Sequence, residues 1–220
     1  IKGQFTLTNG FYGNTSASGL NKLKNSPNIE LIELAKTVYA STDISVPLIR
    51  VKPHTWNLGI TGNGQTVCVV DSGIDYNNSN LGGCKRTNNI SDGFCDKVIG
   101  GINYVPIMPT YDPFDDRGHG TNVAGIIAST NPTYTGVAYD AKLAAVKVLG
   151  SNGQGPPEDI VRGIDWCRIN ANALNISVIS VSITTGEPSS GTCTSTVATA
   201  INSAFTENLS WFFAKSRHKR

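Results

Sequence analysis

Asp71 and His119 are the two side chains whose type and setting could do chemistry. Asp71 closes the apolar run Val67-Cys68-Val69-Val70-Asp71-Ser72-Gly73. Such a β-branched run ending in a carboxylate and Ser-Gly describes a buried strand that delivers an acid to the crevice at the carboxyl edge of an open α/β sheet. His119 stands between glycines in Gly118-His119-Gly120-Thr121-Asn122-Val123-Ala124-Gly125, at the start of a helix-like stretch over residues 122–129. The glycines let the backbone pack closely and leave the imidazole pointing outward. A carboxylate that fixes the tautomer of an imidazole makes it a general base, and later a general acid, for a hydroxyl nucleophile that is weak at neutral pH. Taken singly, an Asp after a strand is a turn former and a His near a helix start is a cap or a satisfied surface group. The glycine pattern around both residues, and the order of acid before imidazole, favour a joint role.

Those two residues need a scaffold of alternating strands and helices. Strands are expected over residues 141–149 and 176–182, and helices over 194–205 and over 158–173 behind Pro156-Pro157, with Ile160, Ile164 and Cys167 on one face. The alternation predicts an α/β fold, a parallel sheet with helices on both faces and right-handed crossovers. Ahead of it, residues 4–7 and 28–34 show the period of strands and residues 20–25 that of a short helix, too little chain for a core of its own. Periodicity fades between Ala35 and Pro53, and residues 56–66 form a glycine-punctuated loop leading into the Asp71 strand.

The 220 residues carry 18 basic and 16 acidic side chains, a balance that excludes a nucleic-acid or membrane-surface partner. No stretch approaches the roughly 20 apolar residues of a membrane span. The chain starts at Ile1, which leaves room for a signal peptide upstream and fits an extracellular or cell-surface protein. Among five cysteines, Cys84 and Cys95 bracket a polar loop that a disulfide would close, stabilising by about 3 kcal/mol and implying an oxidising compartment. They lack the close spacing of a zinc site. Cys68 and Cys167 fall in apolar segments and are expected to be small buried hydrophobes. Cys193 has no evident partner in the sequence, and its mate is expected beyond Arg220.

At Asp71 and His119, and in their order, the chain resembles the subtilisin-like serine proteases (subtilases, peptidase S8). The resemblance implies a serine endopeptidase acting on polypeptides through an Asp-His-Ser triad, with Asp71 and His119 as two of its members. That family carries its serine in a Gly-Thr-Ser-Met-Ala type segment, and no such segment occurs in these 220 residues, whose one methionine is Met108. The chain is therefore expected to be a fragment, inactive alone. The alternative is a non-catalytic, peptide-binding relative or decoy. Gly10-Phe11-Tyr12-Gly13, Leu20-Asn21-Lys22-Leu23 and the run from Ser26 to Glu33 resemble the second half of the inhibitor propeptide of that family. The implied organisation is a partial propeptide over 1–38, a linker with the processing region over 39–50, the N-terminal part of the peptidase domain over 51–207, and an aberrant tail over 208–220. Residues 40–45 are small and polar enough to enter a protease cleft, and the propeptide would serve as an intramolecular inhibitor.

The resemblance also implies a peptide groove between Gly153-Gln154-Gly155 and Ser182-Ile183-Thr184, whose backbone edges pair with an extended substrate. Thr184 stands where relatives have a glycine at the floor of the first specificity pocket. No cofactor is required for the chemistry. A structural calcium is an option, yet the usual Asp before a leucine is Asn80 before Leu81, leaving Asp75, Asp92, Asp96, Asp112, Asp115 and Asp116 as oxygens nearby in sequence. Asn122 replaces a second His of many relatives. The tail 208–220 arrives where the family has a short apolar strand leading to its oxyanion Asn, and its basic, strand-poor composition suggests a frameshift near Thr206–Asn208. The alternative is a genuine basic tail.

Overall fold

The run that ends at Asp71 forms the central strand of a parallel sheet in the computed structural model, which describes residues 1–5, 9–33, 38–40, 54–84, 95–105, 112–132, 134–184, 196–205 and 210–213. Strand β4 (Thr66–Asp71) is buried at every position. It lies between β6 (Lys142–Lys147) and β8 (Ile176–Val181), with β5 (Val98–Asn103) beyond β6 and β10 (Ser210–Phe213) beyond β8, every pairing parallel. Burial on two sides explains the continuous apolar run. Val67 and Val69 enter the core under helix α3 (His119–Ala128), beside Ala124, Ala128, Leu143 and Ala145. Cys68 and Val70 face the opposite way, against Val146 and the Ile160, Ile164 and Cys167 stripe of helix α4 (Pro157–Ile169) and Ala200 of helix α6 (Thr196–Phe205). The period of two along the strand thus feeds two cores, one per face. The parallel α/β architecture is as expected from the sequence.

Several local expectations are corrected. The helix expected over 158–173 is broken at Asn170, whose side chain donates to the Trp166 carbonyl at 2.8 Å and competes with the helical ladder; a short helix α5 (Ala171–Leu174) follows and ends at left-handed Asn175. Cys68 and Cys167 are not free hydrophobes but a disulfide, Cα atoms 6.0 Å apart, because strand and helix present both inward at one depth. Cys84 and Cys95 are joined in a second disulfide, the one expected from their spacing. Within the tail, Ser210-Trp211-Phe212-Phe213 forms a strand paired in parallel with Val178 to Val181, its aromatics being good strand formers, while the other residues of 208–220 lie outside the described residues.

In the first part of the chain, β1 (Gly3–Gln4) and β2 (Phe11–Tyr12) make a small antiparallel ladder. Helix α1 (Ala17–Lys24) follows, with the Ser16 hydroxyl accepting from the Gly19 amide at 3.2 Å. Residues 28–33 form no strand, having no described edge to pair with. The segment in which periodicity fades contains strand β3 (Val38–Ala40), held by a three-stranded sheet with β7 (Gln154–Gly155) and β9 (Ile183–Thr184). The glycine-rich approach to β4 begins with one helical turn, α2 (His54–Asn57), from which the Trp56 indole donates to the Val137 carbonyl at 2.9 Å. Residues 6–7 of the first expected strand, most of the processing region, Asp92 and Cys193 lie outside the described residues. Among the described residues, no helix is long and apolar enough to cross a membrane.

The Cys68–Cys167 bond closes a loop of 99 residues and ties the strand carrying Asp71 to α4. Its loss is expected to cost about 4 to 5 kcal/mol. Urea titration of a Cys68→Ala/Cys167→Ala double variant should show that loss, and an unchanged midpoint would refute the assignment of a stabilising cross-link.

Candidate active site

Asp71 sits at the C-terminal end of β4 and His119 at the first position of α3, and the fold brings them together: Nδ1 of His119 is 2.7 Å from Oδ1 of Asp71. A carboxylate accepts only, so Nδ1 carries the proton and Nε2 is left as the acceptor. Asp71 is fully buried and His119 is 7% exposed. The Ser72 amide also donates to Oδ1, at 2.7 Å, while Oδ2 is buried with no hydrogen-bond partner among the described residues. A buried carboxylate served by so few donors stabilises an imidazolium beside it.

The contact depends on how closely two turns approach. A Cβ on Gly120 would stand 2.1 Å from the Gly73 carbonyl oxygen and 3.1 Å from Asp71 Cβ, so the residue after His119 must be glycine. Gly118 caps α3 at φ 96°, a conformation that favours glycine. The orphan amides of the first helical turn are then spent on the neighbouring strand end. Gly120 N donates to Ser72 Oγ at 2.9 Å, and Ser72 Oγ donates to Asp115 Oδ1 at 2.9 Å.

Asp115, named from the sequence solely as a calcium oxygen, proves to be the hub of this lock. Its carboxylate also accepts from the amides of Arg117, Gly118 and Thr121 at 2.9 Å each and from the Thr121 hydroxyl at 2.6 Å. Burial pushes the Asp115 carboxyl up, but the bonds from Thr121, Gly118 and Arg117 together outweigh it and hold its pKa below the ordinary value.

Lys147, the buried charged end of β6 after the apolar stretch Leu143 to Val146, is the second support that sequence reading missed. Its ammonium donates to the Ser72 carbonyl at 2.7 Å, to Asp116 Oδ1 at 2.6 Å and to the Leu149 carbonyl at 3.0 Å. One cation therefore ties the turn after Asp71, the loop before His119 and the exit of β6. The available signals were a lysine inside a buried run and paired acids just before Gly-His.

The expected groove residues also gather. Gln154 and Gly155 form β7, Gly153 precedes it at φ 76°, Ile183 and Thr184 form β9, and Ser182 links β9 to β8. Both edges pair antiparallel with the chain's own β3: Val38 with Gly155, Tyr39 with Gln154 and with Thr184, Ala40 with Ile183. An extended segment thus lies between two backbone edges.

Several of the oxygens suggested for calcium have partners within the chain. Asp112 accepts from the Tyr76 hydroxyl at 2.7 Å, Asp116 is paired with Lys147, and the Asn80 side-chain oxygen accepts from Asn131 at 3.2 Å. Among the described residues, no three His, Cys, Asp or Glu side chains are grouped to hold a metal.

A family model described as the subtilase family, peptidase S8, matches residues 62–215. The chain belongs to this family of serine endopeptidases. It is 35% identical over 168 residues to the thermostable alkaline protease of Halalkalibacterium halodurans, covering 74% of this chain and 41% of that protein. Subtilisin E of Bacillus subtilis is 32% identical over 203 residues, with 90% and 47% covered. Serine protease AprX of the same organism is 33% identical over 173 residues, with 76% and 36% covered. The chain spans less than half the length of each of these relatives.

The Asp115 lock makes a signed prediction. A carboxyl whose folded pKa is lowered stabilises the fold above its unfolded value of about 3.8 and loses that contribution as pH falls through the folded value. Asp115→Asn, which replaces an acceptor oxygen with a donor facing other donors, should destabilise at pH 7 by roughly 2 to 3 kcal/mol and should narrow the gap to the wild type in strong acid. Denaturation curves from pH 2 to 7 provide the check; parallel curves would refute it.

Proposed function

We propose that Asp71 and His119 are the orienting acid and the general base of a serine endopeptidase. The reading is carried by one observation, the 2.7 Å bond between the two side chains. His119 Nε2 takes the proton of a serine hydroxyl and later returns it to the leaving amine, while Asp71 holds the tautomer and stabilises the imidazolium. No nucleophile segment of the family's type lies within these 220 residues, so they form no acyl-enzyme by themselves. The two disulfides suit an oxidising, extracellular setting.

Gly153, Gln154, Gly155, Ser182, Ile183 and Thr184 are proposed to bind extended polypeptide through main-chain hydrogen bonds that ignore side-chain identity. The chain's own Val38–Ala40, which runs from the end of the 1–38 segment into the processing region, lies between those edges as a substrate would and supports residues 1–38 as an intramolecular inhibitor. A second anchor points the same way: Glu33 Oε2 accepts from the Thr196 amide at 2.7 Å at the start of α6.

A fluorophosphonate probe tests the reading. The full-length protein should be labelled, and His119→Ala or Asp71→Asn should lower kcat on peptides by about three to four orders of magnitude. Peptide binding with no labelling would instead establish a non-catalytic, peptide-binding relative. Glu33→Ala, which removes the α6 anchor, should speed digestion of the first 38 residues by an added protease; an unchanged rate would count against the docking role.

A further inference from the structure

We propose that Arg117 is a specificity-determining residue that selects an acidic side chain at the substrate position which takes the place of Ala40 in the groove. The inference rests on the protease reading and deepens it by naming a substrate class. Arg117 is exposed and stands two residues before His119. Its guanidinium donates to the Ser151 carbonyl at 3.2 Å, which stretches the side chain from the loop of the general base to the loop that opens the β7 edge. There it rests on Gly153: a Cβ on that glycine would stand 2.3 Å from Arg117 Cζ and 2.4 Å from Nε. The cation occupies the space that a side chain at position 153 would need.

The strand register shows which substrate residue meets it. Val38 pairs with Gly155 and Tyr39 with Gln154, where the ladder ends, so Ala40 is the next residue on the side of Gly153, while across the groove it pairs with Ile183. Whatever polypeptide replaces the resident strand therefore places its corresponding residue beside the guanidinium. The resident residue is an alanine, without charge.

The nearby carboxylates are otherwise engaged. Asp116 is bound to Lys147 at 2.6 Å, Asp115 is spent on Ser72 and on the amides of Arg117, Gly118 and Thr121, and Asp112 accepts from Tyr76. Among the described residues, no carboxylate forms an ion pair with Arg117. A guanidinium stays charged at any working pH and keeps several donors after one is given to Ser151, enough to take a carboxylate from the groove side. The mainly backbone character of the groove leaves side-chain selection to few groups, and the Arg117 guanidinium is a permanent charge in contact with Gly153 at its rim.

The test uses the full-length protein and peptides that differ in one residue, Asp, Asn or Lys, at the position aligned with Ala40. The expected order of kcat/KM is Asp above Asn above Lys, with about fivefold between neighbours at low salt and a gap that closes as salt is raised. Arg117→Gln should level the order and Arg117→Glu should invert it. An order unchanged by both variants, or a preference that follows a different peptide position, overturns the proposal while leaving the protease reading intact. If no peptide is cleaved and the fluorophosphonate does not react, the protease reading fails. Competition binding of the same Asp and Lys peptides to the wild type and to Arg117→Glu then decides charge selection independently, inversion supporting it and equal affinities overturning it.

Discussion

The 2.7 Å bond between His119 and Asp71 is a contact between a strand end and a helix start that lie 48 residues apart in the chain, and the proposed chemistry depends on holding those two ends in register. The bond itself cannot do so. A lone hydrogen bond contributes about 1 kcal/mol net, far too little to fix two loops against thermal motion. Position comes instead from the Asp115 carboxylate, which gathers donors from Ser72 on the strand side and from Arg117, Gly118 and Thr121 on the helix side. Lys147 performs the complementary task with carbonyl oxygens and Asp116. One buried anion collects donors and one buried cation collects acceptors; removing either leaves the fully buried Ser72 short of a partner.

The same strand ends also build the groove. The Asp71 carbonyl accepts from the amides of Val148 and Leu149 at 2.8 and 3.2 Å, so the exit of β6 is hung directly from the residue that orients the imidazole. From there the chain turns through Gly150 and Gly153 into β7, the edge on which Val38 and Tyr39 pair. The β7 edge and the carboxylate therefore share one rigid piece of backbone. A groove placed by an independent loop would need its own supports; here those of the acid serve both.

The central strand and its acid were legible in sequence because burial on two faces leaves an unmistakable apolar run, and the His119 helix because glycine is demanded on both sides of the ring. The supports were less legible. Asp115 and Asp116 look like a solvated pair until the helix start folds back over them, and nothing local in Ser72 announces that its hydroxyl faces Gly120. The Cys68–Cys167 bond was hidden for a different reason: 99 residues separate the cysteines, each in an apolar context where a reduced thiol would be equally at home. Residues 28–33 mislead in the opposite direction, since a strand-like period without an edge to pair with makes no strand. Val38–Ala40 shows the converse, three residues with little pattern that become a strand because two edges are waiting.

The buried acids on the two sides of the sheet respond oppositely to pH. Asp115 is rich in donors, and its contribution is present above the usual carboxylate range. Asp159, in the first turn of α4 just beyond the β7 edge, has one strong partner, Arg162 at 2.8 Å, whose guanidinium also lies 4.2 Å over the Tyr104 ring. Burial there outweighs Arg162 and raises the Asp159 pKa to about 6. A carboxyl raised in the folded state contributes stability that is complete below its unfolded value and lost as pH climbs through about 6. The difference lies in donor number, not in depth of burial: Asp115 is 6% exposed and Asp159 also 6%. The helix that carries one wall of the groove is thus held best in mild acid, whereas the lock on Asp71 and His119 is fully ionised by then. These two groups together favour the folded chain most near the ordinary carboxylate value of 3.8, above which the Asp159 contribution falls away toward pH 6.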